Sequence, residues 1–351
     1  MSNTLYALGP TIGKGTFSRV YATSDPTGRP LAIKCALNPS KAYILAEEAD
    51  KMRKLARCTC VPKLVCVLQA PVSIVMERVG KTLLTLQQEL QRFSVKSTAM
   101  LALQTLSALE ELHSFGFLHR DIKPDNLALS PDSASVRLID LGLSSSYLKN
   151  GRHVAYSEQN SFQGTPFFCS LACLKGVRAS RRDDLEALGY VLVFLQKGFL
   201  PWFDCDAMAN LSVITEKRLN YPVKKLCEGL EPEFEEFIRG CQAIGFSDLP
   251  NYPYFRSKFT SLLRRLGEDL DWKYDWTLKS RKIRKTSTFR NKAQVKSQRR
   301  ISLPVTQADC EEQLTPVASI AQLPTFKFKR LRSRLNTEKR EFKGFRPSEP
   351  S

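Results

Sequence analysis

The sequence predicts an α+β protein of two lobes, a small β-rich lobe followed by a larger α-helical one, with a basic tail beyond them. Three observations carry this. Short runs of β-branched and apolar residues bounded by Gly, Pro and Asp turn signals fill the first 80 residues. From Leu83 the apolar spacing becomes helical, most clearly at Leu103, Leu106, Leu109 and Leu112. After "DWKYDW" the composition shifts to Lys, Arg, Ser, Thr and Gln with few branched apolar residues, too little to offset the entropy of ordering. The divisions are therefore placed at 1–79, 80–276 and 277–351, the last expected to be disordered.

In the first region "LYALGPTI", "SRVYATS" and "LAIKCAL" read as strands of an antiparallel meander. "KAYILAEEADKMRKL" places Leu45, Met52 and Leu55 among strong helix formers and predicts one amphipathic helix. "KLVCVLQ" and "VSIVMERV" return to strands. In the second region "MLALQTLSALEELHSFG" is a helix with a buried face, ending near Gly116. "SVRLIDLGL" is a short strand, "RRDDLEALGYVLVFLQKG" a strongly apolar helix, and further helices are expected near 232–243 and 253–265. No internal repeat is visible.

At 351 residues the chain is long enough for two lobes with buried cores. Its net charge of +18 is unevenly spread: residues 277–351 hold 19 Lys/Arg against 6 Asp/Glu, or +13, which leaves +5 for the rest. Ten cysteines include the pair Cys58-Thr-Cys60, but there are only three histidines and no paired Cys-x-x-Cys knuckles. Free intracellular thiols are the expectation. The N-terminus "MSNTLYALGPTIGKG" lacks the charged start and apolar run of a secretory signal, and no stretch approaches the roughly 20 apolar residues that span a bilayer. A soluble protein of cytoplasm, nucleus or both is expected.

The chemistry lies in ordered motifs. "GKGTFSRVY" sets Gly13 and Gly15 between two predicted strands, where a missing Cβ lets the backbone close over phosphates, although Ser18 stands where a third glycine is usual. "LAIK" puts Lys34 on the third strand, where an ammonium can bind α- and β-phosphate oxygens. Its fixed partner is expected to be Glu48 rather than Glu47. Glu48 shares a helix face with Met52 and Leu55, whereas Glu47 shares one with Lys51 and Lys54, a solvated face. In "FLHRDIKPDNLAL" Asp121 would accept or orient a hydroxyl proton, Lys123 would offset phosphate charge, and Asn126 would ligate a metal. Asp140 of "IDLGL" supplies a second hard oxygen ligand, which suits Mg²⁺. Each motif alone has an ordinary reading as a turn, a hairpin or a strand-end lysine; their order is specific.

In that order the motifs resemble those of the eukaryotic protein kinases. "SLA" in place of Ala-Pro-Glu, together with "SRRDDLEALGYVL", "LPW", "ITEKRLNYPVKKLCEGL" and "FSDLPNYPYFRSKF", resembles the casein kinase I family over roughly residues 5–276. The resemblance implies a monomeric Ser/Thr kinase that needs no activation-loop phosphorylation and favours acidic or already phosphorylated protein substrates. It implies an ATP site formed by Ile12, Gly13, Lys14, Gly15, Val20, Ala32, Lys34, Met76, Glu77, Val79 and Ala128, with the hinge at Glu77, Arg78 and Val79. The catalytic set would be Lys34, Glu48, Asp121, Lys123, Asn126 and Asp140, with Mg²⁺ on Asn126 and Asp140. Asp184 would brace the His119–Arg120 backbone, the alternative being a helix N-cap.

Four departures stand out. Leu141 replaces the usual phenylalanine and is expected to pack against the Glu48 helix. Ala128 replaces a larger residue beneath the adenine, which implies a roomier pocket. "FDCDAMANLSVI" carries no Lys or Arg where the family has a basic cluster, leaving Arg181 and Arg182 to bind an anion and implying a weakened preference for primed substrates. With Ser18, the first two would also permit a pseudokinase scaffold. In the tail, "RKIRK", "RRIS" and "KFKRLRSR" could attract acidic partners or importin, and Thr286, Ser287, Thr288 and Ser302 beside them could be autophosphorylated. No folded module for sequence-specific nucleic-acid binding is visible.

Overall fold

The computed structural model describes residues 6–15, 17–69, 71–158, 162–203 and 211–277. The expectations for the tail beyond 277, and most of "FDCDAMANLSVI", lie outside the described residues. No helix among the described residues is long and apolar enough to cross a membrane.

The small lobe is a five-stranded antiparallel sheet. Its strands are β1 (Thr11–Lys14), β2 (Ser18–Ser24), β3 (Pro30–Ala36), β4 (Leu64–Gln69) and β5 (Val72–Glu77), in the order β1-β2-β3-β5-β4. Alternation along β3 explains its central place. Leu31 and Ile33 pack with Val75 on one face, while Ala32 and Lys34 point to the other. Helix α1 (Ala42–Lys54) covers that second face and buries Leu45, Glu48, Ala49 and Met52, one stripe at helical spacing.

The first strand is shorter and later than "LYALGPTI" predicts. Gly9 N–H and Pro10 O still bond Ala22, but regular pairing starts only at Thr11 and shifts register before Gly13. Pro10 has no N–H to give a ladder, so the strand begins after it. Gly13 consequently lies inside β1, opposite Val20, rather than between strands.

Helix α2 (Leu83–Leu90), capped by Thr82, opens the larger lobe. Helix α3 (Val95–Ser114) begins five residues before the predicted segment. Its polar first turn, "VKST", hides the start from any apolar periodicity, yet Ser94 caps it by accepting the Ser97 N–H at 3.1 Å. Short strand pairs follow: β6 (Phe117–Leu118) with β9 (Ser145–Ser146), β7 (Leu127–Leu129) with β8 (Val136–Leu138), and β10 (Leu148–Lys149) with β11 (Arg152–His153). Helices α4 (Leu171–Leu174) and α5 (Arg181–Lys197) come next. Then follow α6 (Leu211–Leu219), α7 (Val223–Leu226), α8 (Pro232–Ala243) and α9 (Tyr252–Arg265). α5 is buried along nearly its whole length, as its apolar sequence requires, and packs with α3 and α8. All cysteines among the described residues are free.

Candidate active site

Two side-chain clusters hold the expected catalytic residues. In the upper one, Lys34 Nζ from β3 lies 2.8 and 2.6 Å from the Glu48 oxygens on α1 and 2.8 Å from Asp140 Oδ1 after β8. Burial alone would lower the lysine pKa, but the Glu48 and Asp140 charges outweigh it and hold the ammonium above the ordinary lysine range. Asp140 is the mirror case: burial would raise its pKa, and Lys34 overrides that and lowers it. Its backbone sits in the left-handed region at φ 64°, which aims the carboxylate back into the cleft.

Leu141 is buried in the core that includes Leu45 and Met52 of α1. Lys51 corrects the sequence reading. It is half-buried, not solvated, because its helix face meets the turn after Asp140: Nζ donates to Leu141 O at 3.1 Å and Gly142 O at 2.7 Å.

The lower cluster is built around the Asp121–Lys123 ion pair and the hydrogen bonds that tie it. Asp121 Oδ2 accepts Asn126 Nδ2 at 2.8 Å and lies 2.6 Å from Lys123 Nζ, while Oδ1 accepts the Thr165 hydroxyl at 2.6 Å. Lys123 Nζ also donates to Thr165 Oγ1 at 2.9 Å. Thr165 thus clamps carboxylate and ammonium together, and sequence reasoning missed it. The preceding Gly164 has φ +117°, and a Cβ there would stand 3.0 Å from Arg120 O, so this close approach requires glycine.

The loop hangs from Asp184 on α5. This carboxylate accepts the backbone N–H of His119 and of Arg120, each at 2.8 Å, and pairs with His113 Nε2 at 2.9 Å. Arg120 pays for its place with φ 69°, a left-handed conformation held by those bonds. Burial would raise the Asp184 pKa, but the bond from His113 and the neighbouring donors lower it. The helix cap is instead Ser180, whose N–H donates to the Asp183 carboxylate at 2.6 Å in a capping box. The Arg120 guanidinium donates to Ser145 Oγ at 3.1 Å and Gln163 Oε1 at 2.6 Å, both neutral groups.

Hard oxygen donors converge at one end of the β7–β8 hairpin. Leu127 pairs with Leu138, so Asn126 and Asp140 leave the hairpin at the same end. The Asn126 amide nitrogen is committed to Asp121 O and Oδ2, which leaves its carboxamide oxygen for a cation. Nothing crowds a Cβ at Gly13 or Gly15 more closely than ordinary contact, and neither has a positive φ. The fold itself therefore has no need of glycine there, whereas a phosphate approaching the backbone does. These residues fit a nucleotide triphosphate with Mg²⁺.

Of the remaining expected nucleotide contacts, Val20, Ala32 and Met76 lie on adjoining strands of one sheet, with Ala32 opposite Met76, and Ile12 and Lys14 are exposed on β1. Glu77 and Val79 are part-exposed where β5 leaves the sheet. Ala128 is fully buried, bridged to Thr82 on one side and paired with Arg137 on the other. Arg181 and Arg182, expected to bind an anion, donate to backbone carbonyls. Arg181 Nη2 donates to Ser247 O and Asp248 O and its guanidinium lies over the Tyr147 ring, while Arg182 Nη1 donates to Ile244 O at 2.8 Å. Their charges serve carbonyl groups on the loop after α8.

A family model described as "Protein kinase domain" matches residues 6–250, well over half of the chain.

Proposed function

The chain belongs to the protein kinase domain family, and within it we propose a serine/threonine kinase of casein kinase I type, acting on protein hydroxyls. The observation that carries the acceptor class is the clamp of Thr165 and Lys123 on Asp121. It presents a carboxylate oxygen to an incoming hydroxyl with an ammonium beside it.

When bound, ATP with Mg²⁺ supplies the transferable phosphoryl group and much of the charge neutralisation. The chain's residues do the positioning. Lys34, braced by Glu48, holds phosphate oxygens at the roof of the cleft, and Asp140 with the Asn126 oxygen holds the cation. Asp121 orients the acceptor hydroxyl and takes up its proton, and Lys123 places positive charge where phosphoryl charge develops. Arg120 is satisfied by Ser145 and Gln163, so the loop needs no phosphate to stand in this arrangement. This supports activity without activation-loop phosphorylation.

The casein kinase I assignment rests on "SLA", "SRRDDLEALGYVL" and "LPW", and it brings acidic protein substrates and a cytoplasmic or nuclear location with it. With Arg181 and Arg182 engaged elsewhere, we expect little gain from phosphate priming. Phospho-amino-acid analysis of casein labelled by this protein tests the acceptor class. Phosphoserine and phosphothreonine are expected; phosphotyrosine as the main product would overturn the assignment.

A further inference from the structure

The segment joining α1 to β4, "RCTCVPK", holds two thiols that the phosphotransfer chemistry does not use. Cys58 and Cys60 are 1% and 3% exposed, with their Sγ atoms 3.0 Å apart. Thr59 between them faces solvent, and its N–H and hydroxyl donate to the Glu111 carboxylate at 2.6 and 2.9 Å. That clamp turns both sulfurs to the same interior side. Only about 1 Å separates them from disulfide bonding distance.

A shared metal fits less well. Two thiolates on one tetrahedral zinc, each about 2.3 Å from it, stand roughly 3.7 Å apart. Glu111 is the only other candidate ligand in the cluster among the described residues, and Thr59 already bonds both its oxygens.

The pair also touches both elements that present partners to Lys34. Cys58 N–H donates to Leu55 O at 2.9 Å, where α1 ends, and α1 carries Glu48. Cys60 O accepts the Leu138 N–H at 2.7 Å, and Leu138 ends β8 two residues before Asp140. We propose that Cys58 and Cys60 form a reversible intramolecular disulfide that lowers phosphotransfer by shifting the joint between α1 and β8; its regulatory half rests on the kinase reading above.

Hydrogen peroxide serves as oxidant. The Cys58 thiolate attacks one peroxide oxygen, breaking the O–O bond and releasing hydroxide, to give a sulfenic acid. The Cys60 sulfur then attacks that sulfur, the S–O bond breaks, and hydroxide leaves. The two thiol protons convert both hydroxides to water, so two thiols and one peroxide give one disulfide and two waters. The Cys60 S–H bonding to Cys58 lowers the Cys58 pKa and favours it as the attacking sulfur. Peroxide is little larger than water, and both chain neighbours of Cys58, Arg57 and Thr59, are exposed.

Peptide masses test the bond on the wild-type chain. Trypsin cleaves after Arg57 and Lys63, so one peptide, "CTCVPK", holds both thiols and no other cysteine. After peroxide and iodoacetamide it should appear two hydrogens lighter than the dithiol, without alkyl groups, and return to the doubly alkylated form after dithiothreitol. Transfer to casein should fall on the order of tenfold with it, as a misplacement near 1 Å can cost up to about a hundredfold. In Cys58→Ala the reduced rate should be kept and the reversible loss abolished. Doubly alkylated peptide at peroxide doses that oxidise other cysteines overturns the proposal, as does stoichiometric zinc retained by the pair. A disulfide that leaves transfer unchanged overturns its regulatory half. Absence of transfer in the reduced chain would fault the kinase reading alone, since the peptide masses still decide the bond.

Discussion

The upper and lower clusters of the cleft are held by different means. Lys34, Glu48 and Asp140 come from three separate elements and meet through charge, with contacts of 2.6 to 2.8 Å. Asp121, Lys123, Asn126 and Thr165 come from one loop and one neighbouring segment, tied by an ion pair and hydrogen bonds and hung from the buried Asp184. The upper cluster depends on how three separate elements are placed; the lower is fixed to the core of the large lobe through Asp184. Activity should therefore be separable from stability above, and coupled to it at the anchor below.

The largest expected effect tests chemistry without architecture. Asp121→Asn keeps the side-chain shape and should lower kcat about 10²- to 10⁴-fold, the usual worth of a positioned acid–base group, with the urea midpoint nearly unchanged. A parallel collapse of stability would break the distinction between reacting group and anchor. Asp184→Ala should do the opposite: it strands the His119 and Arg120 N–H groups and His113, at about 1 to 3 kcal/mol for each buried group, so about 3 kcal/mol or more should be lost in urea unfolding.

Glu48→Gln sharpens the upper half. Lys34 keeps Asp140 but loses its charged brace, and transfer should fall about 10- to 100-fold by misplacement while the urea midpoint shifts less than in Asp184→Ala. Acid titration separates the anchor from its isostere. Asp184 is held below the ordinary carboxylate range, so its ionised form stabilises the fold above the unfolded value near pH ~4 and loses that effect as pH falls through the lowered folded value. Lys34 is raised, so its contribution is full below about pH 10 and is lost only above its folded value. Asp184→Asn should therefore be less stable at neutral pH and show a flatter acid limb in urea midpoints. The smallest effect belongs to Lys51→Met, which frees the Leu141 and Gly142 carbonyls; about 1 kcal/mol, read as several-fold lower transfer, is expected.

The same contrast explains what the sequence could tell. Glu48 was legible as the partner of Lys34 because one helical stripe carries it beside Met52 and Leu55. The strands from β2 to β5 and the helices α1, α5, α8 and α9 follow from periodicity and breakers for the same local reason. Thr165 was not legible, since its contact with Asp121 spans 44 positions and "GTPFF" carries no periodic signal. Lys51 was misread because a helix face polar in sequence meets a turn 90 residues away. The sequence offers Arg181 and Arg182 for an anion, and only the tertiary structure brings the carbonyls of Ile244, Ser247 and Asp248 against them. Local order is written locally; partners across the chain are not.

The most direct test of the whole account is transfer of labelled phosphate from ATP·Mg²⁺ to an acidic casein-type peptide by phosphatase-treated protein, beside Asp140→Ala. Immediate, linear transfer by the wild type and none by the variant is the result expected of a site already assembled through Lys34, Glu48 and Asp140. Equal background in two folded proteins would contradict it and leave a kinase fold without kinase chemistry.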